Sequence, residues 1–325
     1  MSVSAATPHS PTRLANFPIT FFAISMGMMG LTLALRAGET TFALDHTVSS
    51  IVLVVSALLF GTTAVLYAAK ALRHPAEVSA DWHHPVKIAF FPAVSISLLL
   101  LATALLEIVP ALAEVFWMIG TAAQGLLALA VISAWIGHRP FQTGMMTPAW
   151  FIPAVGNVIV PLAGAKLGYL EVSWLFFSGG LIFWVVLLTL VMNRLMFHDP
   201  MPGKMVPTLM ILVAPPAVAF TSWLRLEGEV GPFGHFLLSA GYIFALLVLT
   251  QASKLRGLPF ALSWWALSFP VAALAIASFG YAHAAGSVAH RGIGTGLLAL
   301  LVLVVIGLIW RTSKAVRAGQ ICVPE

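Results

Sequence analysis

The chain has 325 residues, of which 60% are hydrophobic and only 8% charged, with a formal net charge of +5 and a mean hydropathy of +0.99. A soluble domain carries roughly 25% charged residues, so this composition cannot clothe a water-facing surface, and the bilayer must be the solvent for most of the chain. The single cysteine, Cys322, excludes an intramolecular disulfide and a cysteine-based metal cluster.

Residues 1–16 are polar and carry Pro8 and Pro11, and they read as a cytoplasmic tail without a signal peptide. Beyond them run apolar stretches long enough to span a bilayer, and none shows the two-residue alternation of a barrel strand. They predict an all-α integral membrane protein with ten transmembrane helices at 17–36, 48–70, 87–106, 112–135, 149–165, 172–194, 205–225, 233–253, 261–283 and 292–311. The transmembrane domain is thus 17–311, and 312–325 reads as a second cytoplasmic tail. The fifth span is interrupted by Pro148, Pro153 and Pro161.

Orientation follows from the lysines and arginines between spans. One side holds twelve, among them Lys70, Lys87, Arg139, Arg194 and Lys314; the other holds Arg36, Lys166, Arg225 and Arg291. That asymmetry places both termini in the cytoplasm and requires an even number of crossings. Topology alone accounts for the bias, although a basic inner vestibule that concentrates anions would also produce it.

Proline is distributed by a rule. Odd-numbered spans carry Pro18, Pro92, Pro153 with Pro161, Pro215 with Pro216, and Pro270, whereas the even-numbered spans as drawn carry none. Proline kinks a helix, and a kink survives in a membrane only where protein or water satisfies the freed groups. Five hairpins are therefore expected, each with a kinked inner helix and a straighter outer one, the inner five ringing a central pore. Kinks expose carbonyl oxygens, which attract cations, so they explain the shape of such a pore and not a preference for anions.

No Asp, Glu, Lys or Arg lies deep in a predicted span, which argues against an intramembrane proton relay and against acid–base or nucleophilic catalysis. No enzyme, cofactor or metal site is expected, and no nucleic-acid partner. The pore-lining candidates are small, hydroxyl, amide and aromatic residues on the inner helices: Phe22, Ser25, Gly27, Pro92, Pro153, Asn157, Pro215, Ser268 and Pro270. Hydroxyls and amides donate weak hydrogen bonds that bind a partly dehydrated anion without trapping it; equally, such residues often bond within or between helices. His83, His84 and His74 lie near Asp81, but adjacent histidines cannot share a helical face as a metal-binding i, i+4 pair does. His283, near the outer end of span nine, is the histidine placed to make conduction pH-dependent.

Five stretches carry a family resemblance. They are Phe21-Phe22 before Gly27, His84-Pro85-Val86-Lys87 leading into Phe90-Phe91, Pro148 to Gly156, Ala214-Pro215-Pro216-Ala217, and Trp264-Trp265-Ala266-Leu267-Ser268-Phe269-Pro270. In this order, on the proline-bearing helices, the sequence resembles the tellurite-resistance/dicarboxylate transporter family, which includes the plant guard-cell slow anion channels. The resemblance implies a pseudo-fivefold ring of hairpins, a homotrimer with one pore per subunit, and a pore gate at Phe269. The expectation is a gated passive channel for small monovalent inorganic anions such as chloride or nitrate in a bacterial inner membrane. The alternative is a carrier exporting tellurite or a C4-dicarboxylate. For a dicarboxylate, a base in the binding site is expected, and none is visible within the spans.

Overall fold

A computed structural model describes residues 12–137 and 143–323; Arg139, part of the orientation tally, lies outside them. The described residues contain no strand. The α-helices are α1 (Phe22–Thr41), α2 (Thr47–Arg73), α3 (Pro75–His83), α4 (Pro92–Leu105), α5 (Pro110–Ile136), α6 (Phe151–Ile159), α7 (Pro161–Gly164), α8 (Leu170–Phe197), α9 (Ala214–Glu227), α10 (Gly231–Thr250), α11 (Ser268–Ala285) and α12 (Val288–Arg317). Among the described residues nine helical segments are long and apolar enough to cross a membrane, and the shorter apolar stretch Pro148–Gly164 makes the tenth crossing.

Burial separates two classes of crossing. The segments containing α1, α4, α9 and α11 bury 67%, 72%, 72% and 72% of their most apolar window. Those of α2, α5, α8, α10 and α12 bury 17%, 39%, 28%, 22% and 22%, so they form an outer layer facing lipid. The inner segments touch in a closed cycle, α1 to α4, α4 to α6, α6 to α9, α9 to α11 and α11 to α1. Each outer helix packs on its own hairpin partner and on the next inner segment around, with α12 closing onto α1. This is a pseudo-fivefold ring of five hairpins.

Each of the five inner segments opens with a 3₁₀ turn: Ile19–Phe21, Lys87–Phe90, Pro148–Trp150, Gly203–Val213 and Leu262–Leu267. These five also touch in a cycle, forming a collar on the side of the molecule where the described residues begin and end. The prolines mark the junctions. Pro92 and Pro161 are the first residues of α4 and α7, Pro215 the second of α9, and Pro153 and Pro270 the third of α6 and α11. In a first turn the backbone N–H has no intrahelical acceptor, so its loss costs little. At four of the five inner crossings the expected mid-span kinks are therefore helix starts, where a tight 3₁₀ turn relaxes into α-helix; in the fifth span Pro161 divides the crossing between α6 and α7, as expected of a mid-span proline. The outer helices follow the same rule at their ends, with Pro110 opening α5 and Pro232 in the first turn of α10.

Two boundaries differ from the sequence expectation. Helix α12 continues six residues past 311, so much of the expected C-terminal tail is helical. The loop after span two contains α3, which delivers Asp81 into a buried cluster. Lys70 Nζ donates to Asp81 at 2.6 Å and to the Phe17 carbonyl at 2.9 Å, and Lys87 Nζ lies 3.2 Å from the other Asp81 oxygen. The cluster ties the start of the chain to α2, α3 and the collar.

Candidate functional site

The inner helices end on the side opposite the termini, and there they enclose a cavity of about 740 Å³. All five contribute to its wall: Leu33 and Arg36 from α1, Thr103 from α4, Leu162 from α7, Thr221 and Arg225 from α9, Ile276 and His283 from α11. Four bases, Arg36, Lys166, Arg225 and Arg291, line it together with one acid, Glu107. These are the four bases that the sequence tally leaves on the minority side. The basic vestibule entertained for the terminal side is thus found at the other mouth, and several terminal-side bases are committed elsewhere. Lys70 and Lys87 hold Asp81, and Arg194 Nη1 donates to the Asp199 carbonyl at 2.5 Å.

Charge pairing in the cavity is sparse. Lys166 Nζ bonds Glu107 at 3.0 Å, and Arg36 Nη1 donates to the Ala104 carbonyl at 3.2 Å while its buried Nε has no partner. The Arg225 and Arg291 side chains have no hydrogen-bonded or ion-paired partner among the described residues. The lysine beside Glu107, reinforced by Arg36 and Arg225, holds its carboxyl below the usual value of 4.5. Inner helices end and outer helices begin at this mouth, so their terminal dipoles of about half a charge each oppose one another. The side chains set the sign, and the sign is positive.

Phe269 lies beneath this cavity. At 100° per residue, Phe269, Ile276, Gly280 and His283 fall within about 60° on one face of α11, and the last three line the cavity. Seven residues of rise put Phe269 roughly 10 Å deeper than Ile276. Phe269 belongs to a continuous apolar cluster with Ala273 of its own helix and Met26, Met29, Ile96, Leu99 and Ala217 from other inner helices. Phe22 falls eleven residues before cavity-lining Leu33 on α1, hence on the same face, and its ring meets Phe60 and Tyr67 of α2 edge-on. Pro92 stands in the same relation to Thr103 on α4.

The polar candidates are mostly engaged in packing. Ser268 Oγ donates to the Trp265 carbonyl at 2.6 Å and occupies the space that a side chain on Gly27 would need, so these two residues set the close approach of α1 and α11. Asn157 accepts at 3.1 Å from Gln124 of α5, whose amide also donates to the Pro153 carbonyl at 3.0 Å. Ser95 Oγ completes that network by donating to Gln124 at 2.8 Å. Two more donors serve the broken fifth crossing: Trp117 Nε1 to the Val160 carbonyl at 2.9 Å, and Ser222 to the Val158 carbonyl. Ser25 is fully buried and its hydroxyl has no partner among the described residues. Pro215 and Pro270 sit a third to half a turn away from the cavity-lining faces of α9 and α11, at the helix starts already described.

The ring, its apolar centre and its basic mouth give the setting for comparison with known proteins. Residues 16–313 match the family described as SLAC1, voltage-dependent anion channel. The chain belongs to that family. This SLAC1-family chain is 28% identical to the S-type anion channel SLAH2 of Arabidopsis thaliana over 91% of its own length and 59% of the plant protein. It is 30% identical to a tellurite resistance protein TehA homologue of Haemophilus influenzae, over 82% of this chain and 81% of that one. An uncharacterised transporter of Methanocaldococcus jannaschii is 24% identical over 95% and 97% of the two lengths. The chain therefore spans three fifths of the first plant channel and most of the two prokaryotic proteins. The family named by the five motifs is confirmed, and its members are anion channels and transporters rather than enzymes.

Proposed function

We propose that this protein is a gated passive channel for small monovalent anions such as chloride and nitrate, with its pore along the axis of the inner ring and its gate at Phe269. The observation that carries this reading is the alignment of Phe269 under the cavity-lining face of α11, within an apolar core cluster to which all the inner helices contribute. A dry constriction of this kind blocks ions by dewetting, and withdrawing a bulky ring rehydrates it. The basic cavity supports anion preference, since four bases against one acid raise the local anion concentration without placing a charge in the constriction. Selectivity among anions then follows the cost of partial dehydration.

The asymmetry of lysine and arginine supports cytoplasmic termini, which makes the basic cavity the external mouth. Residence in a bacterial inner membrane and assembly as a homotrimer, one pore per subunit, belong to the same proposal and rest on the resemblance. The second reading, a carrier of tellurite or C4-dicarboxylates, gains from Arg36 and Arg225, bases that helices α1 and α9 do deliver to a cavity. Flux of chloride and nitrate through purified wild-type and Phe269→Ala protein in liposomes separates the two. Fast, non-saturating flux that rises in the variant is expected of the channel; saturable exchange that requires substrate on both sides belongs to the carrier.

A further inference from the structure

The mouth cavity holds more positive charge than attraction of a monovalent ion requires. At about 740 Å³, against the roughly 30 Å³ that one water occupies in the liquid, it has room for a polyatomic ion with its water. Three arginines line it from three different helices, Arg36 from α1, Arg225 from α9 and Arg291 from α12. None faces a carboxylate within ion-pair distance, and the one acid in the wall, Glu107, is already engaged by Lys166 at 3.0 Å. Arg36 is fixed by the Ala104 carbonyl and keeps a buried, unpartnered Nε. Guanidinium donors offered from several directions match a compact ion bearing several acceptor oxygens and two charges. The attraction doubles with the charge of the ligand, while the apolar layer beneath the cavity rejects a doubly charged, strongly hydrated ion.

We propose that this cavity is a binding site for divalent tetrahedral oxyanions, sulfate or hydrogen phosphate, which lodge among Arg36, Arg225 and Arg291 and obstruct the pore from that mouth. The binding step stands on the cavity alone; the obstruction step rests on the channel reading.

The probe is sulfate, with hydrogen phosphate and nitrate as parallel arms at constant ionic strength. Calorimetry on purified wild-type protein is expected to show saturable sulfate binding that nitrate does not reproduce. Arg225→Gln with Arg291→Gln is expected to weaken it roughly tenfold or more, and Arg225→Lys less, since it retains the charge. A monodisperse elution profile guards against a misfolded double variant. In liposomes, sulfate on the cavity side should inhibit chloride flux through the Phe269→Ala protein, with half-inhibition shifting to higher sulfate in the Arg225→Gln, Arg291→Gln background. Equal affinity of the double variant and the wild type, or absence of both sulfate and phosphate binding, overturns the site. Sulfate binding without chloride flux in any variant keeps the site and removes the channel reading. Binding with undiminished flux removes the obstruction. If phosphate binds and sulfate does not, the site is selective for a protonated oxyanion and the proposal for sulfate is wrong.

Discussion

Gln124 on α5 donates from Nε2 to the side-chain oxygen of Asn157 on α6 at 3.1 Å, across the one crossing that proline divides into two helices. The same amide holds the Pro153 carbonyl and Ser95, and no space separates it from Gly156. Replacing Gln124 with Leu removes every one of these bonds and leaves Asn157 and Pro153 unsatisfied inside the bundle. A loss of about 1–3 kcal/mol is expected, read as a lower unfolding temperature in detergent with anion selectivity unchanged.

The Lys70–Asp81 pair is buried on both sides, at 3% and 7% side-chain exposure. Removing one partner of such a pair leaves an uncompensated charge, so Asp81→Asn should cost about 3 kcal/mol. Pairing it with Lys70→Met should recover much of that loss, since no buried charge of Lys70 then remains. A double variant no more stable than Asp81→Asn alone would contradict this role for the pair.

Gly27 and Ser268 limit how closely α1 approaches α11. A methyl group at Gly27 meets the Ser268 hydroxyl oxygen and lies 3.1 Å from the Trp265 ring. Gly27→Ala is expected to destabilise the protein by about 1–3 kcal/mol. Adding Ser268→Ala should relieve only part of this, because Trp265 remains; full recovery in a double-mutant cycle would place the clash solely at the hydroxyl.

Glu107 is the one acid in the cavity wall. Its carboxyl titrates below 4.5 because Lys166, Arg36 and Arg225 favour the charged form. A lowered folded value means that its stabilising contribution is complete above about 4.5 and fades as pH falls through the lower folded value. The negative charge of Glu107 should therefore persist across pH 5–8, and Glu107→Gln should tighten sulfate binding throughout that range. An effect of Glu107→Gln that fades as pH falls towards 5 would show that Lys166 is not its partner in solution.

The architecture was largely legible in the sequence, because proline has few places to go. Placed in first turns, it labels Pro92, Pro161, Pro215 and Pro270 as starts of α-helices that form the ring, just as Pro110 and Pro232 mark the starts of outer helices. What it does not reveal is that each inner segment opens with a 3₁₀ turn, since no residue type distinguishes Leu262–Leu267 from the α-helix after it. The use of polar side chains was hidden for another reason. Ser268, Asn157 and Ser95 have the chemistry of pore-lining groups, yet only three-dimensional neighbours such as Trp265 and Gln124 decide where their hydrogen bonds go. The basic cavity carried a readable signal that a count of sides conceals. Arg36, Lys166 and Arg225 each stand at the far end of an odd-numbered crossing, so a ring of those crossings brings them together. Helix α3 is too short and too polar to stand out from a loop by periodicity, and its role appears only when Asp81 meets Lys70 and Lys87.

The most direct test of the pore lies at Phe269. Wild-type and Phe269→Ala protein, each confirmed as correctly assembled, would be reconstituted in liposomes under a clamped potential with opposed chloride and nitrate gradients. A channel closed by that ring predicts anion flux that rises several-fold in the variant and grows linearly with concentration. Flux that is unchanged by the substitution, or that saturates and demands exchange, would contradict a gate at Phe269.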